Sequence, residues 1–172
     1  MTTYPLRKLL IDIAARDVGQ VETSPNHGPA IAKFWSATTY PDGYNNREPY
    51  CSAAACYWVR EWLMLPEVAA AFGKSPKELD AWRCKSATAF GWIDWAKSKG
   101  LLILDDRPGN VLHTGDIVVF DFSHVGIVED DYDNRIKTIE ANTGAKNQSD
   151  GEGIERKDRP REIARAFIRL LV

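Results

Sequence analysis

Apolar side chains at Leu6, Leu9, Leu10, Ile13 and Ala14 recur every three or four positions, with Arg7, Lys8, Asp12 and Arg16 between them. That is the spacing of an amphipathic helix with one buried stripe. Gly19 is placed to stop it, so the pattern predicts a helix over residues 5–18. Residues 22–49 then break into clusters of Ser, Pro, Asn, Gly and Asp around one apolar piece at 30–35, which reads as loop with a helical turn or two. The alanine-rich stretch "CSAAACYWVREWL" predicts a second long helix over 51–63, ending ahead of Pro66. Three further fragments, "PEVAAAFG", "SPKELDAW" and "SATAFGWIDWAKSKG", make a helical insert over about 66–110, and Ser75 and Glu78 stand at capping-box spacing.

From Thr114 the period falls to two. "GDIVVFDF", "HVGIVED" and "RIKTIEANTG" alternate or run as β-branched stretches between turn residues. "REIARAFIRLLV" reads as a last strand with Ala164, Ala166, Ile168 and Leu170 inward, in preference to a membrane-active amphipathic tail carrying Arg161, Arg165 and Arg169. Helices followed by an antiparallel meander predict an α+β fold in one domain over 1–172.

Composition narrows the function classes. Hydrophobic residues at 44% and charged residues at 27% are those of a globular protein, and a net charge of −2 argues against a nucleic-acid partner. Three cysteines cannot all pair within the chain, and none has zinc-finger spacing, so a free thiol, no metal and no cofactor are expected. The acidic run Glu129, Asp130, Asp131 and Asp133 lacks the glycine and distal glutamate of a calcium loop and reads as a hairpin tip. Charges at Arg7, Lys8, Asp12, Arg16 and Asp17 interrupt any signal-peptide core, and no stretch reaches the roughly 20 apolar residues of a membrane span. Synthesis in the cytoplasm, with export by another route, is the expectation.

One constellation carries chemistry. Cys51 falls at the first turn of the predicted helix, where unpaired N–H groups and the macrodipole favour a thiolate and can also face an oxyanion. A lone cysteine is more often a small buried hydrophobe, so only a base and an orienting group overturn that reading. His27 and His113 read as surface residues. His124 opens a strand with Gly126 two positions on, an empty place on the same face. Pairing that strand with "RIKTIEAN" through a turn near Tyr132 sets His124 opposite Glu140 and Gly126 opposite Thr138. A slip of two sets Asn142 opposite His124 instead. Both registers keep Glu140 and Asn142 on the histidine's face, so the orienting group is Glu140 or Asn142. Trp58, Trp62, Trp92 and Trp95 fall at helical spacings that suit core packing.

The blocks "EPYCSAAACYWV", "TGDIVVF", "SHVGIVED" and "IKTIEANTG" resemble, in order, those of the CHAP family of cysteine amidases and peptidases, related to the NlpC/P60 group. The likeness runs from about Glu22 to the C-terminus. It implies a papain-like fold with Cys51 as nucleophile, His124 as base and acid, Glu140 as orienting group and Asn142 as a polar helper. It also implies bacterial peptidoglycan as substrate, cut as an N-acetylmuramoyl-L-alanine amidase or an endopeptidase in the periplasm or cell wall. Tyr50, beside the nucleophile, is expected to wall the substrate site, with Gly126 leaving it space. A holin or an immunity protein is the implied partner for a phage endolysin or an antibacterial effector. The sequence departs from the family in having Tyr50 where tryptophan is usual, and Asp42 as the one acid between Pro25 and Arg47, so a calcium loop is not carried over. No wall-binding domain is expected alongside. An acyltransferase on the same thiol, or an inactive wall-binding or tail component, are the alternatives.

Overall fold

A computed structural model describes residues 3–107, 109–143 and 152–171. Its helices are α1 (Tyr4–Ala15), α2 (Pro29–Trp35), α3 (Cys51–Leu63), α4 (Pro66–Phe72), α5 (Pro76–Trp82) and α6 (Gly91–Ser98). The strands are β1 (Leu102–Leu104), β2 (Ile117–Phe120), β3 (His124–Asp131), β4 (Arg135–Thr143), β5 (Gly153–Pro160) and β6 (Ala164–Arg169). The sheet order is β1-β6-β2-β3-β4-β5, and every neighbouring pair is antiparallel. The fold is therefore α+β, with six helices and a six-stranded antiparallel sheet among the described residues.

Local sequence sets most boundaries. Proline opens α2, α4 and α5 at positions where a missing N–H costs nothing. Ser75 caps α5 by accepting from the Glu78 N–H at 3.3 Å, while Glu78 Oε2 accepts from the Ser75 N–H at 2.8 Å. α1 ends three residues before the 5–18 pattern does. There Asp17 turns inward, and its carboxylate accepts from Trp58 Nε1 and Gln20 Nε2, both at 2.8 Å, and from Lys33. That buried carboxylate ties the end of α1 to α2 and α3. The insert holds α4, α5 and α6, and also β1, which runs along β6 at the edge of the sheet.

Around β2 the sheet is buried on both faces. Ile117, Val119, Ile127, Ile139 and Ile168 join the helices in the main core, which includes Trp58, Trp62 and Trp92. Ala53, Ala54 and Ala55 are all fully buried, and their small side chains let α3 pack closely on β3 and β4. Val118, Phe120, Val128, Ile136 and Phe167 form a second cluster on the other face. In β6 both faces are covered, so Phe167 and Arg169 are as deeply placed as Ala166 and Ile168.

Between β3 and β4 the register is the slipped one. Gly126 stands opposite Glu140 and Val128 opposite Thr138, with an irregularity between Val128 and Asp130. The pairing of His124 with Glu140 and Gly126 with Thr138 is not formed. Instead the Glu140 side chain lies across the space that Gly126 leaves: a Cβ added there would sit 2.7 Å from Glu140 Cγ and 3.1 Å from the Ile139 carbonyl. Gly126→Ala should therefore destabilise the protein by about 1–3 kcal/mol through forced displacement of Glu140 and its strand. Chemical denaturation checks this; a midpoint equal to that of the wild type would contradict the close approach.

Candidate active site

Cys51 is the first residue of α3, and Tyr50 occupies the N-cap position without a side-chain cap. The leading N–H groups of a helix have no intrahelical acceptor, so this uncapped end leaves donors beside the sulfur. Cys51 is 5% exposed and lines a cavity of about 330 Å³. Trp35, Tyr40, Glu48 and Pro49 form one part of the cavity wall, and Ala87, Thr88 and Ala89 another. The second wall is fastened to α3 by its next residue: Ser52 Oγ donates to the Ser86 carbonyl at 2.7 Å and accepts from Trp92 Nε1 at 3.0 Å. Gly91 lets this loop close in, because a Cβ there would stand 1.9 Å from Ser86 Oγ.

His124 begins β3, after Ser123, which takes a left-handed φ of 59° and also lines the cavity. The imidazole is fully buried, with its ring stacked on Phe120 and Phe122 at centroid distances of 5.9 and 5.6 Å. Its Nε2 donates to Glu140 Oε2 at 2.9 Å. That leaves Nδ1, which has no hydrogen-bond partner among the described residues, as the ring nitrogen open to the Cys51 sulfur, whose charge opposes the effect of burial on the histidine.

Glu140 is saturated with donors. Oε1 accepts from Thr138 Oγ1 at 2.6 Å and Arg159 Nε at 3.0 Å, and Oε2 accepts from His124 Nε2 and from Arg159 Nη2 at 2.6 Å. All four lone-pair directions of an ionised carboxylate are used. Arg159 is wholly buried, with its guanidinium over the rings of Phe120 and Phe122. Burial alone would raise the Glu140 pKa, but the bonds from His124 and Arg159 hold it down at about 2. Burial likewise disfavours the imidazolium, yet the Cys51 sulfur and Glu140 together push His124 up to about 9. The arrangement thus favours a protonated His124 imidazole at neutral pH.

The structure brings Cys51, His124 and Glu140 together. Asn142 is buried in β4 at a register irregularity between Ala141 and Thr143, with a left-handed φ of 56° that asparagine tolerates. Glu140 and not Asn142 bonds the His124 ring. Tyr50 does not wall the cavity: it is fully buried and stacks towards Phe34, while Pro49, Trp35 and Tyr40 take that place. Gly126 offers its space to the Glu140 side chain and not to a substrate. Cys56 is buried, and desolvation followed by its contact with Cys84 pushes its thiol pKa well up. His27 stacks on Tyr44 at 4.1 Å, and His113 is half-buried, its pKa lowered by burial, Arg169 and Arg7.

Arg159 is the residue that sequence reasoning missed. Its neighbours "ERKDRP" alternate charges on both faces of β5, so nothing in the string marks one arginine as internal. A larger groove of about 680 Å³ lies at the other end of β3, near Glu129 and Asp130. Lys8 with Asp12 and Arg156 with Glu129 neutralise each other there, and no cysteine or histidine lines it, so the smaller cavity is the candidate site. Among the described residues, no group of three His, Cys, Asp or Glu side chains could hold a metal ion. No helix among them is long and apolar enough to cross a membrane.

These shifts set the pH dependence of stability. Glu140, held at about 2 against an ordinary 4.5, contributes fully above pH 4.5 and loses that contribution as pH falls towards 2. His124, raised from 6.5 to about 9, contributes fully below pH 6.5 and loses it as pH rises through 9. Denaturation midpoints should therefore fall on both sides of a plateau between pH 4.5 and 6.5, with a shallower alkaline fall in Cys51→Ala. A midpoint unchanged between pH 6.5 and 9 would contradict the raised imidazole.

Comparisons of the chain with models of known families, with curated proteins and with solved structures find no match, so the site rests on its own geometry.

Proposed function

We propose that the protein is a papain-like cysteine hydrolase of the CHAP type that cleaves amide bonds of bacterial peptidoglycan. The observation that carries the chemical part is His124 held by Glu140 through Nε2, with its other nitrogen left for the sulfur of a cysteine at an uncapped helix start. The order of the motif blocks around Cys51, His124 and Glu140, described above, supports the wall substrate and the papain-like assignment.

In this reading the Cys51 thiolate attacks the amide carbonyl carbon. A carbon–sulfur bond forms, and the carbonyl electrons move onto oxygen, which faces the leading N–H groups of α3. Collapse of the oxyanion breaks the carbon–nitrogen bond. The His124 imidazolium gives its Nδ1 proton to the leaving amine, and a thioester remains on Cys51. Neutral His124 then takes a proton from water, whose oxygen attacks the thioester carbon. The acid leaves, and sulfur and imidazolium return to their starting charges. Glu140 stays ionised throughout: it fixes the ring and balances the imidazolium, while Arg159 keeps the carboxylate from rotating away.

Digestion of purified peptidoglycan, with fragments identified by mass spectrometry, tests the proposal and names the bond. Cys51→Ala should lower the rate by on the order of 10⁴ or more, the loss seen when a nucleophile is removed from such a triad. Cys56→Ala, if folded, and His113→Ala should stay within a few-fold of wild type. Cleavage surviving in Cys51→Ala, or no new fragments from the wild type, would refute the assignment.

A further inference from the structure

The wall of the cavity beside Cys51 carries one charged side chain, that of Glu48. Behind the cavity wall the buried charges are paired, Glu140 with both His124 and Arg159. Glu48 is the one charged residue among those lining the cavity outside these pairs. It lies three positions before the nucleophile, on the exposed side of the chain, and no cation among the described residues forms a salt bridge with it. Nearby cations are committed elsewhere. Arg47 Nη1 donates to Ser24 Oγ at 3.0 Å, Lys85 Nζ to Asp80 Oδ2 at 2.8 Å, and Arg83 to Asp80 and the Ala37 carbonyl.

The same wall is aromatic. Trp35 and Tyr40 both line the cavity, with ring centroids 6.4 Å apart and planes at 88°. Trp35 is held rigidly, since its benzo edge lies where a side chain on Gly43 would be, 2.2 Å from an ideal Cβ. An aromatic wall and a carboxylate around one opening favour an ammonium group over a carboxylate or phosphate. The facing wall of Ala87, Thr88 and Ala89 is small, so it leaves width for an extended chain and supplies no competing charge.

We propose that this cavity selects amide substrates that carry a protonated aliphatic amine close to the scissile bond, with Glu48 as its counter-charge and Trp35 and Tyr40 as its wall. The inference rests on the peptidoglycan hydrolase reading, and it narrows that reading to peptides whose amino group is free near the cut. Glu48 is a specificity-determining residue here; it takes no part in proton transfer.

The test pairs two wall-peptide fragments, identical except that the side-chain amine of the diamino acid is free in one and acetylated in the other. Binding is measured by calorimetry on Cys51→Ala, and kcat/KM on the active protein. The free amine should be preferred by about three- to tenfold in both, mostly through binding. The preference should fall to near one in Glu48→Gln, return in part in Glu48→Asp, and shrink in about 0.5 M salt. Equal binding of the two fragments, or an undiminished preference in Glu48→Gln, would overturn the inference while leaving hydrolysis intact. Selective binding without turnover by the active protein would instead keep the amine site and remove the hydrolase reading.

Discussion

A carboxylate buried away from water is tolerable only when its lone pairs are filled, and Glu140 meets that demand with four donors from three side chains. Everything at the candidate site follows from that requirement. Arg159 must be internal to pair with it, Phe120 and Phe122 must flank the guanidinium, and the His124 ring must lie flat on the same aromatic pair. Gly126 must lack a side chain so that the carboxylate can reach across its strand. With one nitrogen of His124 consumed by Glu140, the other is left open to the sulfur of Cys51. Loss of either member of the buried pair would leave the other charge uncompensated, at a cost of about 3–5 kcal/mol. Stability and chemistry are thus coupled through one carboxylate.

The helix side of the site depends on a different economy of small groups. Three buried alanines let α3 approach the sheet, and Ser52 hooks the loop after α5 onto the helix one residue beyond the nucleophile. The N-cap residue, Tyr50, has no short side-chain oxygen to occupy the first N–H groups. A serine or aspartate there would stabilise the helix by about 1 kcal/mol and would compete for the donors an oxyanion needs. The two halves therefore differ in character: on the sheet the polar groups are saturated, and at the helix start they are left open.

Much of this was legible in the chain. The period of three to four marked α1, and the alanine-rich stretch put a helix start near Cys51. β5, whose string is mostly charged, was not read as a strand, whereas the period of two marked β2, β3, β4 and β6 and put His124, Gly126 and Glu140 on one face. It could not choose between registers two residues apart, because both preserve facing, and the choice depends on the side-chain-free space at Gly126. β1 escaped notice because three apolar residues inside a helical insert carry no periodicity. Tyr50 was misplaced for a related reason. Proximity in sequence to the nucleophile is not proximity to the cavity, since the turn into α3 points Tyr50 inward and leaves Pro49 outside. Arg159, Trp35 and Tyr40 come from segments outside the motif blocks, and only the tertiary fold brings them to the site.

The central claim is that the Cys51 sulfur and the Glu140 carboxylate together hold the His124 imidazole in its protonated form. Following the His124 ring signals by NMR as pH is raised tests it most directly. The ring should titrate at about 9 in the wild type and at a clearly lower value in Cys51→Ala. Titration near the ordinary 6.5, unmoved by removing the sulfur, would contradict it.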